Sequence, residues 1–215
     1  MESLRETIRF TNLAARLGVH AALVLTPFYY GGKMTSEALI KYFTKLADNS
    51  DIPILIYNVP KFTHINIKSD AVEVLSRYPN IIGMKDSLGD VPQLATFKRV
   101  IPDDFNLLVG TASAWYPALA LGIKGAILAL ANCNPEECVD VKEEFDKENW
   151  KKSREIYQRI FPINTAVTGI YGIAGLKYAC DLLGHKGGSV RSPLLPLKEE
   201  EKNKIKEVLK QALVL

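Results

Sequence analysis

Cysteine, histidine and unbalanced charge are all scarce in this chain. Its three cysteines, at positions 133, 138 and 180, are too few for a disulfide framework, and no C-x-x-C pair occurs. That usage fits a reducing compartment, so an intracellular protein, cytoplasmic or mitochondrial, is expected. His20, His64 and His185 lie far apart, and none belongs to an H-E-x-x-H motif or a Cys/His cluster, so no metal site is expected. Charge nearly cancels: 27 Lys and Arg stand against 24 Asp and Glu, a net of +3. That balance gives no footprint for nucleic acid or for an anionic membrane surface. The longest apolar stretch, Gly125 to Ala131, is far short of the roughly 20 residues a membrane span needs. The opening Met1-Glu2-Ser3-Leu4-Arg5-Glu6 has neither the basic end nor the apolar run of a secretory signal. Also missing are the G-x-G-x-x-G of dinucleotide folds, the G-x-x-x-x-G-K-[ST] phosphate loop and the G-x-S-x-G elbow of serine hydrolases.

What remains is an ordinary globular composition over 215 residues, 47% hydrophobic and 24% charged, too apolar for a disordered chain. Hydrophobic periodicity alternates between helix and strand. Residues 3–17 read as a helix stopped by Gly18, and Ala21 to Thr26 as a buried strand ahead of Pro27. Ser36 to Ala47 reads as an amphipathic helix capped by Ser36 or Thr35. Strands are expected at Pro53 to Tyr57, Ile81 to Lys85, Asn106 to Val109 and Gly125 to Leu130. Helices are expected at Lys68 to Arg77, Val91 to Val100 and Ala114 to Leu121, then over about 135–147, 150–163, 172–183 and 198–213. The result is five βα units followed by a helical tail. We divide the chain into a partial barrel over residues 1–133 and, over 134–215, a last barrel helix with a helical extension. Strands apolar on both faces imply a parallel sheet covered by helices. Periodicity alone leaves a doubly wound sheet and a closed barrel equally open.

In either architecture the chemistry sits at the carboxyl ends of the strands. Lys85 ends the apolar strand IIGM, where a charge is costly without a task or a partner. A desolvated lysine disfavours its ammonium form, and the free amine attacks a ketone or aldehyde to give a Schiff base. The plainer alternative is a strand-end lysine reaching solvent. Tyr57 ends the neighbouring strand, about 4.8 Å away, where a phenol can relay a proton to or from an imine; a core-packed tyrosine is the plainer alternative. Tyr29 and Tyr30 follow the first strand and suit a subunit contact. The Gly110-Thr111-Ala112-Ser113 turn offers backbone N–H groups suited to a carboxylate, or is a plain strand-to-helix turn.

These strand ends resemble a known family. YNVP (Tyr57–Pro60), IIGMKDS (Ile81–Ser87), TPFYYGGKMTSEAL (Thr26–Leu39), LLVGTAS (Leu107–Ser113) and GAILALAN (Gly125–Asn132) occur in the order found in the dihydrodipicolinate synthase / N-acetylneuraminate lyase family of class I aldolases. The resemblance implies a (β/α)8 TIM barrel with extra C-terminal helices and a homo-oligomer, dimer or tetramer. It implies a pyruvate-type 2-oxo acid bound as a Schiff base on Lys85. Tyr57 falls on the proton-relay tyrosine, and Tyr30 on the tyrosine given across a dimer contact in some members. Gly110, Thr111 and Ile127 take the substrate-binding positions. No metal or organic cofactor is needed, since the imine is itself the electron sink.

Within the family, KDS with GDV (Gly89–Val91), NTAVTGIYGIAGLK (Asn164–Lys177) and the late Gly187, Gly188, Arg191, Pro193 and Leu194 resemble 4-hydroxy-2-oxoglutarate aldolases. Dihydrodipicolinate synthases usually carry an arginine two residues beyond YNVP; here Phe62 stands there, and His64 replaces a family glycine. The first strand resembles the family's fourth, which implies a barrel shortened at its N-terminal side. The expected activity is cleavage of a 2-oxo acid such as 4-hydroxy-2-oxoglutarate into pyruvate and glyoxylate. The alternative is a shortened, non-catalytic member that partners a full-length aldolase.

Overall fold

A computed structural model describes residues 2–214 of the chain. They form two compact units: the chain up to Gly110 with Leu121–Ala126, and Thr111–Ala120 with the chain from Ile127 onward.

In the first unit the elements run α1 (Leu4–Arg16), β1 (Ala22–Leu25), α2 (Ser36–Asp48), β2 (Ile54–Asn58), the single turn α3 (Pro60–Thr63), α4 (Ser69–Leu75), β3 (Ile81–Asp86), α5 (Val91–Val100), β4 (Asn106–Val109) and β5 (Gly125–Ala126). The strands pair parallel in the order β1-β2-β3-β4-β5, as successive βα units demand. β1 and β5 are therefore the two edges of this sheet.

Local chemistry explains the boundaries. Thr35 caps α2 by accepting the N–H of Ala38 at 3.2 Å, and Leu39, Tyr42, Phe43, Leu46 and Ala47 bury one face of that helix. Asp90 caps α5 by accepting the N–H of Gln93 at 2.7 Å, with Pro92 in the first turn, where no intrahelical N–H is needed. Asn80, at a left-handed φ of 65°, turns the chain into β3. Its side-chain amide donates to the carbonyls of Ala47, Ser50 and Ile52. Along β2, Ile54, Ile56 and Asn58 are fully buried, while Leu55 and Tyr57 on the other face are half-buried.

The β2–β3 ladder carries an irregularity. Ile54 pairs with Ile81 but Leu55 pairs with Gly83, leaving Ile82 unpaired, and beyond it the register runs Tyr57 opposite Lys85 and Asn58 opposite Asp86. The strand expected over Gly125 to Leu130 is shorter than its apolar run suggests. Only Gly125 and Ala126 pair, with Leu108 and Val109. Ala129–Asn132, expected as the end of the strand and the loop after it, forms a 3-10 turn.

In the second unit a 3-10 turn (Ala112–Ala114) leads into α6 (Trp115–Ala120), followed by α7 (Pro135–Asp146), α8 (Trp150–Asn164), α9 (Gly172–Leu182) and α10 (Glu199–Gln211). Trp115 donates its indole N–H to the Cys138 carbonyl at 2.9 Å, and Ser153 binds the Val141 carbonyl at 2.6 Å. α8 contains Pro162, and its helical path continues as a π turn over Thr165–Ile170, which joins it to α9 where a plain break is expected from sequence. No helix among the described residues is long and apolar enough to cross a membrane.

Candidate active site

Strand periodicity places Tyr57 and Lys85 on the same face of the sheet, directly opposite each other across β2 and β3. Lys85 is only 8% exposed. Its amine lies 3.5 Å from the Tyr57 hydroxyl, the outer limit of a hydrogen bond, and 4.4 Å from the centre of the Tyr57 ring. The amine thus sits over the ring near its hydroxyl, the placement expected from the strand ends. The face of a tyrosine ring attracts a cation at such a distance.

Gly110, directly after β4, leaves room beside the Lys85 stem. A Cβ at that position would overlap the Ser87 hydroxyl and stand 2.8 Å from both Ser87 Cβ and Lys85 Cε. Of the N–H groups in the Gly110–Ser113 turn, expected to suit a carboxylate, that of Gly110 is taken up by the Asp86 carbonyl at 2.6 Å. Its contribution is space. Ser87 Oγ and Thr26 Oγ1 are the two buried side-chain oxygens without a hydrogen-bond partner among the described residues.

Tyr30, Thr111 and Ile127 are the other expected site residues. Tyr30 lies in the loop after β1, 68% exposed, its ring edge-on to Tyr29 with centres 5.0 Å apart. The Glu2 carboxylate holds that loop, accepting the N–H groups of Phe28 and Tyr29 at 3.0 and 2.9 Å. Thr111 and Ile127 belong to the second unit. Thr111 caps the turn that follows it, its hydroxyl accepting the Ser113 N–H at 3.4 Å, and Ile127 is half-exposed. In that unit Tyr157 donates to the Ser113 carbonyl at 2.5 Å and Asn164 to its hydroxyl at 2.8 Å.

One group near the amine escaped the sequence reading. Asp86, 1% exposed, points to the face opposite Lys85. Its carboxylate accepts from the Asn58 amide at 2.7 Å, the Gln93 amide at 3.0 Å and the Leu88 N–H at 3.1 Å. Burial pushes its carboxyl above the usual aspartate range, while these N–H donors pull it back. The available signal is positional: an Asn and an Asp follow directly after the paired Tyr and Lys, and alternation turns both toward the buried face.

The model of the dihydrodipicolinate synthetase family matches residues 1–212. A 4-hydroxy-tetrahydrodipicolinate synthase of Archaeoglobus fulgidus is 36% identical over 208 residues, covering 97% of this chain and 71% of that protein. The crystal structure of a Thermotoga maritima dihydrodipicolinate synthase superposes with a TM-score of 0.91 at 27% identity, over all of this chain and 73% of that one. A chloride-inhibited dihydrodipicolinate synthase of Acinetobacter baumannii, solved with pyruvate, gives 0.90 at 28% identity, again over 100% and 73%. These relatives carry the synthase name rather than that of a 4-hydroxy-2-oxoglutarate aldolase. With a family match over nearly its whole length and an α/β fold shared with those solved structures, the chain belongs to the dihydrodipicolinate synthetase family of class I, Schiff-base carbon–carbon lyases.

Proposed function

We propose that this chain binds a small 2-oxo acid as a Schiff base on Lys85 and breaks the carbon–carbon bond beside it, with 4-hydroxy-2-oxoglutarate as substrate. The observation that carries the reading is the buried Lys85 amine 3.5 Å from the Tyr57 hydroxyl. The amine adds to the keto carbon, and loss of water from the carbinolamine leaves an iminium. Tyr57 accepts the proton of the C4 hydroxyl as it passes its own to water or to Tyr30. The C3–C4 electron pair flows to the iminium nitrogen and glyoxylate departs. The remaining enamine takes a proton at C3, and water releases pyruvate and the free amine. Gly110 keeps its place in this scheme as the residue that makes room, and Thr111 and Ile127 as substrate contacts. A homo-oligomer is part of the same proposal.

The choice of 4-hydroxy-2-oxoglutarate rests on the motifs shared with those aldolases and on Phe62. That side chain is 70% exposed and offers no charge where synthases usually place an arginine. A second reading, condensation of pyruvate toward 4-hydroxy-tetrahydrodipicolinate, is favoured by the names of the relatives. A third, a non-catalytic partner of a longer aldolase, is favoured by the two sheet edges at β1 and β5. Borohydride reduction in the presence of pyruvate separates enzyme from partner: an adduct on Lys85 is expected, and a folded sample without one rejects the catalytic reading. Glyoxylate release from 4-hydroxy-2-oxoglutarate, run beside an assay for 4-hydroxy-tetrahydrodipicolinate, then decides the substrate.

A further inference from the structure

We infer that Asp86 and Asn58 form a clamp that sets the contact between Lys85 and Tyr57, making them positioning residues for the proposed reaction. The inference rests on that reaction for its purpose, but its geometry stands independently.

The irregularity at Ile82 means that the register at the chemical end of β2 and β3 is not inherited from where the strands begin. A slip of one residue would turn Lys85 to the opposite face. Something at the far end must therefore fix the pairing. The last paired residues are Asn58 and Asp86, and their side chains bond across the strands at 2.7 Å on the face behind the amine.

An ionised aspartate only accepts hydrogen bonds, so it dictates how every amide around it points. The Asn58 amide nitrogen turns to Asp86 and, at 2.9 Å, to Asn66, leaving its oxygen to accept the Ile67 N–H at 3.1 Å. The Gln93 nitrogen turns to Asp86 at 3.0 Å, leaving its oxygen for the Asn66 amide at 2.7 Å. Gln93 is itself placed by the Asp90 cap of α5. β2, β3 and α5 thus meet on one carboxylate that has no cation among its hydrogen-bond partners, and Asn66, ahead of α4, ties Asn58 to Gln93. A buried charge met only by N–H dipoles is a costly way to brace a loop, which a neutral side chain could do. Its directional demand is what a neutral group lacks, and fixing register is the best-attested use of such groups.

The test compares the full chain with Asp86→Asn, Asn58→Asp, the double swap and Gln93→Leu, all checked for folding by circular dichroism. One readout is the rate of borohydride trapping of pyruvate on Lys85. The other needs no keto acid: the proton shift of the Lys85 ε-methylene in a 13C-lysine-labelled sample, which the Tyr57 ring current moves upfield. Asp86→Asn is expected to slow trapping about tenfold at saturating pyruvate and to return the ε-methylene shift toward that of exposed lysines. The double swap restores an amide–carboxylate pair and is expected to recover most of both. Gln93→Leu, at a half-buried position in the first turn of α5, is expected to fold and to slow trapping about threefold. Wild-type shift and trapping in Asp86→Asn and Gln93→Leu, or a folded double swap no better than the single variant, overturns the clamp. A wild-type chain that traps no pyruvate, yet whose Lys85 shift follows Asp86, retains the clamp and rejects the proposed reaction.

Discussion

Replacing Gly110 by alanine tests how tightly the amine is held. The backbone at Gly110 does not lie at positive φ, so room rather than conformation decides the outcome. The added methyl would overlap the Ser87 hydroxyl and stand 2.8 Å from Ser87 Cβ and Lys85 Cε, roughly 0.7 Å short of the ~3.5 Å at which carbon atoms meet without repulsion. The Ser87 hydroxyl can swing away about its own side-chain bond. Its Cβ cannot, because the Ser87 N–H is fixed on the Asn58 carbonyl at 2.9 Å. Lys85 must therefore withdraw along its stem, and that draws an amine already 3.5 Å from the Tyr57 hydroxyl out of reach. Overpacking of this kind costs about 1–3 kcal/mol, and displacement of a reacting group by a large fraction of an ångström lowers the rate by roughly 10- to 100-fold. Urea unfolding measures the first effect, and the time course of borohydride trapping with pyruvate the second. Gly169→Ala, with nothing within 4 Å of the added atom, serves as control for trapping and is expected to leave its rate unchanged. Trapping at the wild-type rate in Gly110→Ala, with an unmoved urea midpoint, would refute the reasoning.

Tyr57→Phe keeps the ring beneath the amine and deletes the hydroxyl; the urea midpoint should stay put while glyoxylate release falls about 10²- to 10⁴-fold, and turnover near wild type would remove Tyr57 from the relay. His64 closes α3 at φ 56°, so His64→Gly should raise unfolding stability by up to about 1 kcal/mol, measured in urea. Cys133 and Cys138 are each pushed by burial to a pKa of about 12; their alkylation by iodoacetamide at pH 8, followed by mass spectrometry, should run roughly a thousandfold slower than that of a free thiol. The sign for stability follows from the same shift: the folded state keeps these protons longer than the unfolded one, so their stabilising contribution is complete below about pH 9 and fades as pH climbs toward 12. Unfolding curves across that range check it.

The parts legible in the sequence were those governed by neighbours along the chain or by one strand's period. α5 and β4 lie where the apolar pattern puts them, since Asp90 and Pro92 announce a helix start and a two-sided apolar run announces a covered strand. Lys85 and Tyr57 were legible because each ends such a run, and adjacent βα units place adjacent strand ends side by side. The length of β5 is not legible because strand length is a property of the pair: GAILAL has the right residues, but the ladder with β4 covers only Gly125 and Ala126. The Asp86 network was hidden for a related reason. Its members, residues 58, 66, 86 and 93, come from four segments, and no local pattern says which way an amide faces. That orientation is settled only once an acceptor-only carboxylate stands among them. The same logic explains why the substrate is harder to read than the chemistry. In the proposed reaction Lys85 and Tyr57 act on the keto group common to every 2-oxo acid, whereas discrimination between aldehydes is assigned to side chains such as Phe62, whose position in the chain carries no statement of what it will touch. A change at Phe62 should therefore alter which aldehyde is released and leave pyruvate trapping on Lys85 intact; loss of trapping on Phe62→Arg would show that the two tasks are not divided in this way.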